Sequence, residues 1–316
     1  MINLELTNYC NFSCEYCPSR WMTRKKGKMS YRLAVKIIRE LAGQGTESVM
    51  TFHVMGEPLL HPDFEKILRF AKQKGLTTVL VTNGSLLPRA FTARIRPYLD
   101  CLIISVTSDS KQVHERRKSG ISLEHYRLIV KEAVAGLLGS STHVLLLYLD
   151  QLSSRSGKSG QEKIAGGWRE FLVKERRDSP KKSKAPGRSK MLFINQWKKS
   201  RRAQTFKLFS NVEAVFLPVS FSWAGLYSGS GKHQAGHCPD FLETLSILWD
   251  GKVTICCGDY DGRMALGNVT KSSLKDVLQG NQALIQKMAS LNKKNLLYAR
   301  VCQGCFSPSQ GRKGAL

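Results

Sequence analysis

Three cysteines, Cys10, Cys14 and Cys17, stand close together near the start of the 316-residue chain. The C-x3-C-x2-C spacing delivers three thiolates from one loop. A closed structural zinc or iron–sulfur site normally takes four protein ligands, so three leave one position open for a substrate or cofactor. An open metal is a place for reaction, and that is the chemistry this loop suggests. The bland alternative, three unrelated loop thiols, is weakened by a second cysteine group downstream: Cys238, Cys256, Cys302 and Cys305. In a chain of this length with no visible export signal, nine cysteines point to ligation rather than to a disulfide framework, and the odd count agrees.

Asn8-Tyr9-Cys10-Asn11-Phe12-Ser13-Cys14-Glu15-Tyr16-Cys17-Pro18 resembles the signature loop of radical S-adenosylmethionine (SAM) enzymes. The resemblance implies that Cys10, Cys14 and Cys17 hold a 4Fe–4S cluster whose fourth iron is chelated by SAM. One-electron reduction would then cleave SAM to methionine and a 5′-deoxyadenosyl radical, which abstracts hydrogen from a substrate; the cofactor supplies the chemistry and the protein positions it. Met55-Gly56-Glu57-Pro58 resembles the family's Gly-Gly-Glu-Pro motif for the SAM amino group, with Met55 in place of the first glycine. Val81-Thr82-Asn83-Gly84 and Ile104-Ser105-Val106 fall where the family makes polar SAM contacts. The implied SAM contacts are Tyr16, Gly56, Glu57, Pro58, Asn83 and Ser105. Read without the family, Gly-Glu-Pro is a plain loop and Thr-Asn-Gly a turn.

Near the other end, Cys238 is followed by twelve residues, Gly251, four residues and Cys256, with Cys302-Gln303-Gly304-Cys305 far downstream. Thr244–Trp249 and Val253–Cys257 flank Asp250-Gly251, a strong hairpin signal. The C-x12-G-x4-C spacing with the late C-x2-C resembles the twitch domain, the shortened form of the SPASM domain. That implies an auxiliary 4Fe–4S cluster on Cys238, Cys256, Cys302 and Cys305; the cysteines for a second auxiliary cluster are missing. Four cysteines also bind zinc, so a structural zinc site is the competing reading. Cys101 reads as a small core residue at a strand start. Cys257 is unassigned and could replace Cys256. A flavodoxin or ferredoxin-type electron donor is implied as partner.

The elements that must position these residues alternate. Strands are expected over Ile2–Leu6, Val49–Val54, Thr77–Val81, Cys101–Thr107, His143–Leu149 and Val212–Pro218. Ser30 caps a helix bearing Leu33, Ile37, Ile38 and Leu41; Phe64, Ile67, Leu68 and Ala71 mark a second, ending near Gly75; Ser122 caps a third. A further helical stretch runs from Ser273 to about Leu291. Repeated βα units argue for a parallel sheet with active loops at the strands' carboxyl ends. The expected fold is α/β: a partial (β/α)6 barrel of the radical SAM type over residues 1–230, then a small α+β twitch-like iron–sulfur domain over 231–316.

The net charge is +25, and Gln151–Lys207 alone holds 17 Lys/Arg against four acids. Leu152–Gly157 and Pro180–Arg188 read as unstructured, so an insertion over about 151–190 is expected to be disordered. A nucleic-acid or other polyanion contact is its functional reading, and a solvated insertion is the favoured one, since no RNA-binding aromatic pattern is interleaved with the charge. His61 and His237 are expected to be structural or surface residues, and Trp223 is a candidate for lining a cavity. No apolar run approaches a membrane span, so a soluble cytoplasmic protein without membrane contact is expected. Substrates implied by the resemblance are a small alcohol undergoing net oxidation or a peptide undergoing modification. An RNA-modifying radical enzyme, or a non-catalytic zinc or iron–sulfur protein binding nucleic acid, are the alternatives.

Overall fold

The chain is described by a computed structural model at residues 1–43, 48–149, 157–175, 194–195, 204–217, 244–256 and 258–294. Ten strands among these residues form one sheet: β1 (Ile2–Leu4), β2 (Val49–Phe52), β3 (Thr77–Thr82), β4 (Cys101–Thr107), β5 (His143–Leu149), β6 (Gln204–Phe209), β7 (Val212–Leu217), β8 (Leu245–Ile247), β9 (Lys252–Thr254) and β10 (Ala265–Asn268). Their order is β10-β9-β8-β1-β2-β3-β4-β5-β7-β6. From β8 to β7 neighbouring strands are parallel; β9, β10 and β6 are added antiparallel at the edges. The sheet is open, as a partial barrel requires, and all six expected strands are present.

The buried apolar positions explain the helices. In α1 (Tyr31–Ala42) the Ser30 side chain accepts from the Leu33 amide, and Ala34, Ile37, Ile38 and Leu41 are buried. In α2 (Phe64–Gln73) the buried set is Phe64, Ile67, Leu68 and Ala71, and the chain turns out at Gly75 with φ +81°. Each large side chain of that stripe contributes roughly 1.5–3 kcal/mol by leaving water. Two short helices follow, α3 (Arg89–Ile95) and α4 (Lys111–Glu115), then α5 (Leu123–Ala135), capped by Ser122 and burying Tyr126, Val130 and Ala133.

The expected disorder of the basic insertion needs correction. Gly157–Glu175 forms a helix, α6, with Ala165, Trp168 and Leu172 in the main core. The Trp168 indole donates to the Tyr148 hydroxyl at 2.8 Å. The helix lies against β6, which pairs with β7 in an unexpected hairpin. Residues 180–188 lie outside the described residues, as does the expected boundary near 230.

Past that boundary, β8 and β9 form the hairpin that Asp250-Gly251 signalled, with Gly251 at φ +85°. The later helical stretch is two helices, α7 (Leu274–Gly280), with a full capping box at Ser273, and α8 (Gln282–Lys293). Strand β8 pairs directly with β1 through Ile2, Asn3 and Leu4. The carboxyl-terminal unit thereby extends the same sheet, and the loops after β1, β2, β3 and β4 gather at one edge. No helix among the described residues is long and apolar enough to cross a membrane.

Candidate functional site

The loop leaving β1 carries Cys10, Cys14 and Cys17, each partly buried. Phe12 anchors it in the core. Its backbone is clasped from two sides: the Ser13 and Glu15 amides donate to the Arg117 and Arg116 carbonyls at 3.2 and 3.0 Å, and the Glu57 amide donates to the Tyr9 carbonyl at 2.7 Å. The Glu15 carboxylate pairs with Arg116 and Lys118. Burial pushes the Cys10 thiol up to about 11, helped by the Glu57, Cys14 and Cys17 charges and opposed by the Phe12 amide. Burial likewise raises Cys14, against the pull of Arg117. Buried thiols such as Cys10 and Cys14 resist ionising by themselves; a bound cation reverses that balance.

Gly56 is where the second loop touches the first. Its φ is +75°, and a Cβ there would strike the Thr7 carbonyl, sit 2.6 Å from the Tyr9 carbonyl and 2.8 Å from Asn8 Cα. Only glycine fits. Met55, standing where the family has glycine, is instead buried with Val54, Leu248 and Tyr260, with Cys17 and Met22 packed against them. Val54 adopts φ 137°, a strained value for a β-branched residue.

Glu57 is fully buried, and burial raises its carboxyl to about 7 against hydrogen bonds from the Asn83 amide, Thr82 hydroxyl and Leu59 amide and the charge of Arg117. Those donors lie at 2.8, 2.7 and 3.2 Å. The carboxyl therefore ties β2's loop to β3's, and Pro58 opens the short turn beyond it. Asn83 donates to Asn11 Oδ1 at 2.9 Å and lies 3.9 Å from Cys10 Sγ. The Tyr16 hydroxyl donates to Thr107 Oγ1 at 3.4 Å, and burial raises its phenol well above the ordinary tyrosine range. The Ser105 carbonyl accepts from Arg117 at 2.9 Å. Tyr16, Gly56, Glu57 and Asn83 thus meet at the cysteine loop, Pro58 follows Glu57 in the chain, and Ser105 is linked to them through Arg117.

Two buried arginines were missed because each sits in a run that reads as solvated charge. Arg117, in Glu115-Arg116-Arg117-Lys118, is 2% exposed and has its guanidinium 4.7 Å from the Phe12 ring and 4.6 Å from the Tyr126 ring. Arg24, in Arg24-Lys25-Lys26, pairs with buried Glu5 through both nitrogens of its fork and donates to the Tyr260 carbonyl. Glu5 also accepts from the Met55 and Trp249 amides, each at 3.2 Å. Beside it, Thr23 gives its amide and hydroxyl to Asp261 at 2.9 and 3.0 Å. Five segments, including the one that follows Cys256, meet at this ion pair.

His61 is structural: Nδ1 accepts from the Asp63 amide, so Nε2 donates to the Met29 carbonyl at 2.7 Å. Cys101 is fully buried in β4. Cys256 Sγ accepts from the Gly258 amide at 3.2 Å. Cys238, Cys257, Cys302, Cys305, His237 and Trp223 lie outside the described residues. Among the described residues no three His, Cys, Asp or Glu side chains are gathered to hold a single metal ion. Three thiols offered by one loop, with a buried arginine beside it, suit a multi-iron cluster, in which each cysteine takes a different iron.

Residues 4–151 match the family described as the radical SAM superfamily, and residues 238–306 match the iron–sulfur cluster-binding domain named SPASM. The chain carries a radical SAM domain and, further on, a SPASM domain. The cofactors of its two domains are a 4Fe–4S cluster, SAM and an auxiliary cluster. The radical SAM stretch is 36% identical over 112 residues to an S-adenosylmethionine-dependent nucleotide dehydratase of Lacinutrix mariniflava, covering 34% of this chain and 23% of that protein. It is 26% identical over 161 residues to a tungsten-containing aldehyde ferredoxin oxidoreductase cofactor-modifying protein of Pyrococcus furiosus, covering 51% of this chain and 42% of that one. The chain therefore spans well under half the length of these relatives. Among solved structures, BtrN in complex with AdoMet and 2-DOIA matches with TM-score 0.54 and 16% identity, covering 96% of this chain and 91% of that one. SuiB of Streptococcus suis bound to S-adenosylmethionine matches with TM-score 0.58 and 15% identity, covering 96% and 72%. At these identities the likeness concerns the fold.

Proposed function

We propose that this radical SAM protein cleaves SAM reductively and abstracts hydrogen from a small-molecule or peptide substrate, with Cys10, Cys14 and Cys17 as the ligands of the SAM-binding cluster. The observation that carries the reading is the clasp of Gly56 and Glu57 onto the cysteine loop at the carboxyl edge of the parallel strands. When bound, the reduced cluster supplies the electron that breaks a carbon–sulfur bond of SAM. The chain's own residues arrange the surroundings. Gly56 lets the β2 loop lie against Thr7 and Tyr9, and the buried Glu57 carboxyl fixes the Asn83 loop over Cys10. Tyr16, Gly56, Glu57, Pro58, Asn83 and Ser105 are the proposed SAM contacts. Cys238, Cys256, Cys302 and Cys305 are the proposed ligands of the auxiliary cluster, in a domain beginning near residue 231. Four committed thiolates favour electron transfer over substrate binding there, and hence a net oxidation. A flavodoxin or ferredoxin-type protein would be the donor. BtrN, matched along nearly its whole length, was solved with 2-DOIA, and SuiB with its precursor peptide SuiA; both support a compact substrate or a peptide rather than RNA.

Anaerobically reconstituted protein incubated with SAM and dithionite tests the proposal. Release of 5′-deoxyadenosine, lost on Cys14→Ala, is expected. No 5′-deoxyadenosine, with zinc in place of iron, overturns it.

A further inference from the structure

We infer that Arg117 is a positioning residue that sets the reduction potential of a cluster on the Cys10–Cys17 loop, its buried positive charge favouring the reduced state. The inference rests on the cluster assignment proposed above. Arg117 is 2% exposed, and among the described residues it makes no ion pair with a carboxylate. Its nitrogens donate to the carbonyls of Val106, Asn83 and Ser105 at 3.2, 3.4 and 2.9 Å. Nε is buried without a partner. Carbonyls satisfy the donors without cancelling the charge, and an unneutralised buried cation is costly.

What lies beside it says where the compensation comes from. The guanidinium sits over the ring of Phe12, which lies between Cys10 and Cys14 in sequence. The Arg117 carbonyl takes the Ser13 amide, so the same residue grips the loop's backbone. Of the other charges facing the loop, Glu15 is already paired with Arg116 and Lys118, and the Glu57 carboxyl accepts from the Asn83 amide, the Thr82 hydroxyl and the Leu59 amide. Arg117 is therefore a buried cation that grips the loop's backbone and, among the described residues, has no carboxylate ion pair. Reduction adds one electron and one negative charge to the site, and in a poorly screened interior a fixed neighbouring cation favours the more negative state.

The test is a potentiometric titration of the reconstituted full chain, without SAM, followed by the electron paramagnetic resonance signal that Cys14→Ala removes. Arg117→Gln and Arg117→Met are compared with Arg117→Lys. At fixed potential the two neutral variants are expected to raise the oxidised-to-reduced ratio tenfold, a midpoint 59 mV more negative for one electron. Arg117→Lys is expected to return the ratio to within threefold of wild type. An unchanged ratio in Gln and Met variants with full iron content overturns the inference. If neither neutral variant loads iron, loading by Arg117→Lys supports the charge requirement, and its failure overturns it. Wild-type protein that shows no loop signal overturns the cluster assignment instead.

Discussion

Gly56 and Glu57 carry the sharpest single-residue consequences. Gly56→Ala puts a methyl group against three backbone atoms of the cysteine loop at a φ of +75°, and backbone cannot swing aside as a side chain does. Strain of this kind costs roughly 1–3 kcal/mol, and the contact adds to it. The variant is expected to unfold at lower urea and to bind several-fold less iron. Glu57 gives a pH dependence whose sign follows from burial. Its carboxyl is raised from 4.5 to about 7 in the fold, so the folded protein holds the proton more tightly than the unfolded chain. The stabilisation is complete below pH 4.5 and is lost as pH climbs to 7. Cluster-free protein should therefore gain stability on acidification from pH 8 to 5, by up to roughly 3 kcal/mol, and Glu57→Gln should flatten that slope in urea titrations across the range.

At the scale of elements, α6 offers the clearest test. Trp168→Ala removes a buried aromatic and leaves the Tyr148 hydroxyl without its donor, for an expected loss of roughly 3–5 kcal/mol in urea denaturation. A small effect would mean that the helix is not part of the core. The same element shows why part of the fold escapes the sequence. Gly157, Gly160, Gly166 and Gly167 dilute the helical signal, and the flanking charge suggests disorder, yet Ala165, Trp168 and Leu172 recur on one face. Strand β6 is hidden for a related reason: as an edge strand it leaves Gln204, Thr205 and Lys207 exposed, and its short alternation, Phe206 and Leu208, sits at the end of the basic run. By contrast β3, β4 and β5 are buried on both faces and read directly as β-branched and leucine runs. The cysteines and Gly56 were legible because few residue types can do their work. Arg117 and Arg24 were not, since a buried arginine and a solvated one look the same in a basic run.

Across the whole molecule, the Glu5–Arg24 pair joins the cysteine loop's exit, the β2 loop and the segment after Cys256. Arg24→Met strands a buried carboxylate and is expected to cost roughly 3–5 kcal/mol, with iron lost from both sites. Replacing Glu5 by Gln in the same chain should recover part of the stability, and iron analysis beside urea denaturation measures both effects. The pairing of β1 with β8 has a consequence for how the protein is made. Residues 2–4 leave the ribosome well before their neighbours at 245–247, which follow some 240 residues later, roughly 12–50 s at 5–20 residues per second. Through that interval the strand that launches the cysteine loop keeps one hydrogen-bonding edge bare. The platform of the cysteine loop is thus among the late parts of the fold to be completed, closed only once β8 has been made.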